Sequence, residues 1–198
     1  MTMPQGSARR RLSLAAVVAM AGLSITPAGA QNPKPVGTAG ANEVPTMASA
    51  KLADADGRGV GEARLQETPH GVLLTLELRN ATPGVHGLHI HQVGRCDPPT
   101  FESAGPHFNP DRRAHGFFNP EGPHAGDLPN IYVPASTELS LDYLIPNVTL
   151  KKGPRSLIDA DGSALMMHEG KDDYRTDPAG DAGDRLACGV ITGGQRGR

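Results

Sequence analysis

The sequence predicts an all-β domain, a sandwich or a barrel built from many short strands. Three observations favour this class: apolar and polar residues alternate, turn residues separate the alternating stretches, and no stretch keeps a helical period. The clearest alternation is at residues 72–79, where every second position is apolar: Val72, Leu74, Leu76 and Leu78. This period is typical of a strand with one face in a core.

The strands follow one another along the chain with turn signals between them. Residues 46–53 are followed by the turn Asp54-Ala55-Asp56-Gly57, and residues 60–67 by Thr68-Pro69-His70-Gly71. The other predicted strands are residues 72–79, 87–93, 128–134, 137–145, 163–168 and 186–192, with a short element at 148–150.

Residues 87–93 carry a His-x-His pair. Side chains alternate along a strand, so His89 and His91 share one face while Leu88 and Ile90 share the other. One face can then bind metal while the other packs into a core. The pair offers two nitrogens to a soft, redox-active ion such as copper.

A long segment rich in Gly and Pro follows this strand and carries three more histidines. His107, His115 and His124, with Asp127, lie in what reads as a long ordered loop. Loops of this length within a compact domain tend to be functional. Three imidazoles and a carboxylate suit a closed tetrahedral zinc site.

Residues 1–30 are predicted to be a signal peptide. Arg9-Arg10-Arg11 precede the apolar residues 12–25, which are too few to span a bilayer, and Ala28-Gly29-Ala30 fits a cleavage site. We therefore expect export without stable membrane insertion after cleavage, and Sec and twin-arginine routes both stay open. Residues 31–45 are predicted to be a flexible leader, and residues 46–198 to be the domain.

The charge of the exported chain argues against a nucleic-acid partner. Without residues 1–30 it has 16 Lys and Arg against 21 Asp and Glu, a net charge of −5. Nucleic-acid binding would need a basic patch or stripe. The remaining 168 residues suit one domain with a sizeable core.

The two cysteines, Cys96 and Cys188, fit an oxidising compartment, where we predict that they form a disulfide. The alternative is two buried free thiols.

Five blocks between residues 87 and 191 resemble the copper–zinc superoxide dismutase family, in its bacterial secreted branch. They are GLHIHQVGRC, SAGPHFNP, GPHAGDLPN, LMMHEGKDD and AGDRLACGVI. The resemblance implies an eight-stranded antiparallel Greek-key β-barrel or sandwich, with a long metal-binding loop and a second active-site loop. It also implies copper and zinc as cofactors, and conversion of superoxide to oxygen and hydrogen peroxide.

The resemblance implies a role for each candidate site residue. The copper ligands would be His89, His91, His107 and His168, and the zinc ligands His107, His115, His124 and Asp127. His107 would bridge the two metals and carry a proton, which makes it catalytic. His70 and His86 stay outside this set, His70 as a turn residue in water and His86 as a structural residue facing the other side of the strand.

Two further residues are implied to serve the site. Asp172 would accept hydrogen bonds from a copper-bound and a zinc-bound imidazole, although a solvated acid is a competing interpretation. Arg185 would be catalytic, holding the anionic substrate beside the copper. Residues 169–184 would shape access to the site, and because acidic residues prevail there, attraction must come from Lys171, Arg175 or Arg185.

We therefore expect an enzyme, an exported superoxide dismutase located in the periplasm or otherwise secreted. The alternative is a periplasmic copper and zinc carrier on the same fold without significant turnover. A carrier needs neither a bridging His107, nor Asp172, nor an anion-binding Arg185, so their presence favours the enzyme. Superoxide is the expected partner, and a homodimer stays open because strand patterns do not reveal an interface.

Overall fold

The computed structural model describes residues 47–193, so the predicted signal peptide at 1–30 and leader at 31–45 lie outside the described residues. The described residues form nine strands: β1 (Met47–Asp54), β2 (Gly59–Thr68), β3 (Gly71–Leu78), β4 (Gly84–His86), β5 (Leu88–His91), β6 (Ile131–Val133), β7 (Leu139–Ile145), β8 (Ser163–His168) and β9 (Arg185–Gly193). A 3₁₀ helix spans Glu102–Ala104. Within residues 47–193 no helix is long and apolar enough to cross a membrane.

The strands form a curled antiparallel sheet and a second, small sheet, which confirms the predicted all-β class. The large sheet has the order β5-β8-β9-β1-β2-β3-β7, and β4 pairs with β6. There is one strand more than the predicted eight, because β4 pairs residue by residue with β6, from Gly84 opposite Val133 to His86 opposite Ile131. The sequence did not reveal β4 because Gly84 and His86 flank a single apolar residue, Val85, so no apolar alternation marks the strand.

The core lies on the inner face of the large sheet. In β3 every second side chain is buried, and Val72, Leu74, Leu76 and Leu78 are at most 1% exposed. Complete burial of one such side chain contributes roughly 1.5–3 kcal/mol. The pairing of β3 with β2 is unbroken from Gly71 to Leu78, so the predicted alternation sets both the register and the core.

β5 is held along both of its edges. On one edge it pairs with β8, with His89 opposite Met166. On the other edge lies the metal-binding loop, residues 92–130, where Ile90 N–H donates to Gly126 O and Phe108 N–H donates to Ile90 O, both at 2.8 Å. A Cβ on Gly126 would come within 2.3 Å of Ile90 O, so only glycine allows this close approach. His107 and Asp127, the neighbours of Phe108 and Gly126, are thereby placed opposite β5.

A disulfide joins the metal-binding loop to β9. Cys96 and Cys188 are bonded, with 5.7 Å between their Cα atoms, which confirms the predicted pairing. The link spans 92 positions of the chain. In the chain-entropy model a loop of this length stabilises the fold by roughly 4–5 kcal/mol.

We predict that reduction of this disulfide lowers the melting temperature of the metal-free protein by roughly 10 °C or more, because the unfolded chain regains the entropy of an open loop. Calorimetry with and without a thiol reductant measures the effect. The matched control is the double variant Cys96→Ser and Cys188→Ser, whose melting temperature should not respond to reductant. An unchanged melting temperature in the reduced natural chain would contradict the prediction.

Candidate metal centre

Four imidazoles converge beside β5. Two come from β5 itself, one from the last residue of β8 and one from the metal-binding loop. They are His89, His91, His168 and His107, and one ring nitrogen of each lies within 4.8 Å of the others. All four side chains are buried. We call this set the first cluster.

Hydrogen bonds assign the ring nitrogens of the first cluster. His91 Nδ1 donates to Gly105 O at 2.7 Å, which leaves Nε2 as a free lone pair, 3.3 Å from His168 Nε2. His89 uses Nε2 for a hydrogen bond and leaves Nδ1 fully buried without a partner. A buried nitrogen without a hydrogen-bond partner is rare, and metal coordination is one explanation.

A second cluster lies on the other side of His107. It consists of His107, His115, His124 and Asp127, all buried. Asp127 Oδ1 faces Nδ1 of these three rings at 2.9, 3.1 and 3.2 Å respectively. Asp127 Oδ2 accepts hydrogen bonds from the backbone N–H groups of Gly116 at 2.9 Å and His124 at 3.0 Å, which fixes the carboxylate.

His107 belongs to both clusters. Its ring centroid is 4.1 Å from that of His89 and 5.2 Å from that of His115. Nδ1 faces the second cluster, and Nε2 is buried without a hydrogen-bond partner. Nε2 is therefore the nitrogen that His107 can offer to the first cluster.

Asp172 joins the two clusters by a second route. Its carboxylate accepts from His89 Nε2 at 2.8 Å through Oδ2 and from His115 Nε2 at 3.1 Å through Oδ1. The residue is fully buried, which excludes the solvated-acid interpretation. A Cβ on Gly180, where φ is +69°, would lie 1.9 Å from Asp172 Oδ1, so glycine is required there.

Arg185 shares a hydrogen-bond acceptor with His91 of the first cluster. Its guanidinium donates from Nη1 to Phe101 O at 2.7 Å and from Nη2 to Gly105 O at 2.9 Å. Gly105 O is also the acceptor for His91 Nδ1. The half-buried arginine is thus oriented by the backbone of the metal-binding loop. Arg175, by contrast, stacks over the ring of Phe118 at 4.7 Å.

The two histidines outside the clusters differ from each other. His70 is exposed in its turn, as predicted. His86 is buried, with Nδ1 2.8 Å from His168 O and Nε2 2.9 Å from Thr82 O, which agrees with a structural role. The predicted reason was wrong, however, because His86 lies in β4 and not in the same strand as His89.

Burial keeps the imidazoles of the first cluster neutral. It lowers the pKa of His89 and His91, and it lowers the pKa of His107 and His168 to about 4. Neutral imidazole is the form that binds metal. A set of nitrogen donors suits copper, and three nitrogens with one oxygen suit zinc.

For the two carboxylates, Asp127 and Asp172, hydrogen bonds outweigh burial, so their pKa values are lowered and they stay charged. Burial alone would raise the pKa of Asp127, but hydrogen bonds from His107, His115 and His124 hold it well below its usual range. Asp172 is likewise held low, chiefly by His115 and His89. Burial disfavours a charge on His115, yet both carboxylates raise its pKa to about 9.

A family model described as copper/zinc superoxide dismutase matches residues 60–191. The chain belongs to the copper/zinc superoxide dismutase family. The predicted enzyme class and its cofactors, copper and zinc, are confirmed at this level, and the donor atoms of the two clusters fit these metals.

Individual members of the copper/zinc superoxide dismutase family agree with this match. The chain is 49% identical over 144 residues to Superoxide dismutase [Cu-Zn] 1 of Aquifex aeolicus, covering 72% of this chain and 85% of that protein. It is 41% identical over 146 residues to Superoxide dismutase-like protein YojM of Bacillus subtilis, covering 72% and 74%. The structure of the Cu/Zn superoxide dismutase from Brucella abortus superimposes with a TM-score of 0.61 at 31% identity, covering 74% of this chain and 99% of that one.

The lowered histidine pKa values predict that the metal-free protein loses stability as the pH falls from 6.5 towards 4. In this window the unfolded chain binds protons that the folded protein does not accept, so protonation favours unfolding. His115 has the opposite sign: its contribution is complete below pH 6.5 and is lost as the pH rises through about 9. We expect the melting temperature at pH 5 to be roughly 5–10 °C below that at pH 7.

Calorimetry of the metal-free protein at the two pH values tests this expectation. His168→Asn removes one of the lowered groups, so its melting temperature should depend less on pH. Equal melting temperatures at pH 5 and pH 7 in the natural chain would show that the buried imidazoles are not the titrating groups.

Proposed function

We propose that the protein is an exported enzyme that dismutes superoxide, converting two superoxide anions and two protons to one O2 and one H2O2. The observation that carries this proposal is the position of His107 between two buried clusters, with an oriented arginine beside one of them. The names of the relatives support the same reaction.

Each cluster has the donors for one of the two metals. Copper would be held by the first cluster, His89, His91, His107 and His168, and zinc by the second, His107, His115, His124 and Asp127. Copper supplies reversible one-electron chemistry when bound, while zinc has no redox chemistry and is structural. His107 would be the shared ligand, with Nε2 towards the first cluster and Nδ1 towards the second.

The proton is moved by His107. Its Nδ1 faces Asp127 in the second cluster, so a proton on the side of the first cluster would be held by Nε2, in the half of the cycle in which Nε2 would not coordinate copper. Because the ring is buried, a proton at Nε2 is costly and readily passed to an anion beside it. We propose that His107 Nε2 delivers one of the two protons needed for peroxide.

Arg185 is proposed to bind the anion. Two of its N–H groups are occupied by the carbonyls of Phe101 and Gly105, and a guanidinium carries five. Its positive charge would attract and orient superoxide beside His91. A carrier of copper and zinc without turnover has no use for this arrangement, which favours the enzyme.

We also propose a periplasmic or otherwise secreted location. The signal-peptide pattern of residues 1–30 supports export, and the disulfide between Cys96 and Cys188 is compatible with an oxidising compartment. The homodimer stays a prediction.

The first prediction of this proposal concerns metal content and turnover together. Mature protein supplied with both metals should contain one copper and one zinc per chain, and should dismute superoxide. Elemental analysis and a dismutation assay on the same sample measure both quantities. Full metal content without dismutation would favour the carrier, and zinc alone in copper-supplied protein would contradict the copper assignment.

The second prediction concerns Arg185→Glu. Reversing this charge removes an attraction and adds a repulsion, so the dismutation rate should fall at least tenfold with both metals retained. Added salt should no longer slow the reaction and should even accelerate it, because screening relieves the repulsion. Stopped-flow rates across ionic strengths measure both effects.

The control is Arg64→Glu, which makes the same change of charge on the exposed side of β2. It should keep nearly the natural rate. An Arg185→Glu protein with both metals and the natural rate at every ionic strength would rule out the assignment of Arg185.

A further inference from the structure

The loop that carries Asp172 has no regular structure, yet Asp172 must be held accurately. The second loop, residues 169–184, runs from the end of β8 to the start of β9. The Asp172 carboxylate has to reach His89 and His115 at the same time, at 2.8 and 3.1 Å. A shift of the backbone by 1 Å would break one of these hydrogen bonds.

Asn130 meets this requirement. Its side-chain Nδ2 donates to Asp172 O at 2.8 Å, and its Oδ1 accepts from Asp172 N–H at 2.9 Å. One primary amide therefore satisfies both backbone groups of a single residue. Only an amide offers a donor and an acceptor side by side, so neither a carboxylate nor an apolar side chain can replace it.

Asn130 is itself fixed by two tyrosines. Its backbone N–H donates to Tyr174 Oη at 2.6 Å, and its backbone carbonyl accepts from Tyr143 Oη at 3.3 Å. Tyr174 also contacts the carboxylate of Asp172, because its backbone N–H donates to Asp172 Oδ1 at 2.6 Å. Asn130 thus connects the end of the metal-binding loop, β7 and the second loop.

We infer that Asn130 is a positioning residue for the metal centre. Its two hydrogen bonds to the backbone of Asp172 hold in place the carboxylate that orients His89 and His115. This inference rests on the proposed function for the identity of the metals. Asn130 does not belong to either cluster. Its effect on metal binding passes entirely through Asp172, whose two hydrogen bonds fix the tautomer and the direction of a ring in each cluster.

Asn130→Asp tests the inference. It keeps the size of the side chain, removes the donor to Asp172 O and places a negative charge beside that carbonyl. Titration of the full mature chain with zinc ion against a competing chelator should show binding weakened 10- to 100-fold. In proton NMR of the zinc-loaded protein, the His89 and His115 Nε2–H signals should be lost to exchange with water.

The same substitution made in the Asp172→Asn variant separates positioning of the Asp172 carboxylate from general anchoring of the second loop. In Asp172→Asn the carboxylate is already gone, so adding Asn130→Asp should weaken zinc binding less than threefold further. An equal loss in both backgrounds, or natural zinc affinity with both Nε2–H signals kept in Asn130→Asp, would overturn the inference. If Asn130→Asp fails to fold, the neutral Asn130→Ala is measured in both backgrounds with the same criteria.

Asn119→Asp is the matched control. Asn119 lies on the same metal-binding loop, and its Oδ1 accepts from Glu121 N–H, a role that a carboxylate can keep. It should retain natural zinc affinity, and a 10-fold loss there would attribute the effect to added charge and overturn the inference. Because zinc binding and NMR do not involve superoxide, failure of dismutation would contradict the proposed function and leave this test intact.

Discussion

Six imidazoles and two carboxylates are buried side by side in the β domain, and every one of their polar atoms needs a partner. The protein meets this constraint by hydrogen-bonding one nitrogen of three rings to the surrounding shell, while His107 turns one nitrogen towards each cluster. Gly105 O takes the N–H of His91, while Asp172 takes those of His89 and His115. The nitrogens that remain point into two clusters. The ligand sets thus follow from hydrogen bonds in the surrounding shell.

The fold supplies that shell from elements distant in sequence. β5 carries two of the rings on a stiff strand, held by β8 on one edge and by the metal-binding loop on the other. The disulfide to β9 fixes the start of that loop, and β9 opens with Arg185. The same carbonyl, Gly105 O, then orients both His91 and Arg185. The proposed anion-binding arginine and a proposed copper ligand are therefore tied to one segment of backbone.

Much of this could be read from the sequence, and the reasons are local. The alternation in β3 and the His-x-His pair of β5 follow from the two-residue period of a strand, so the core face and the metal face were predictable. β4 was missed because its sequence, Gly-Val-His, has no apolar alternation, and the burial of Asp172 was undecided because an acid in a loop is usually solvated. Asn130 was missed for another reason. Its role depends on contact with a backbone 42 positions away, which no local pattern encodes.

The residue types alone predict a histidine pair suited to copper and a set of three imidazoles and a carboxylate suited to zinc, while the full ligand sets follow from the resemblance to the copper–zinc superoxide dismutase family. The structure adds the orientation of the rings: it shows which nitrogens form hydrogen bonds and which face a cluster. This matters most for His107, since a ring with one nitrogen towards each cluster can serve both metals, whereas a ring turned the other way would serve neither well.

Anomalous X-ray diffraction from crystals of the metal-loaded protein tests most directly the proposal that His107 lies between two different metals. Data collected at the copper and zinc absorption edges should show two separate peaks. The copper peak should lie among His89, His91, His107 and His168, and the zinc peak among His107, His115, His124 and Asp127. A single peak at both edges, or two peaks of which only one contacts His107, would contradict the account.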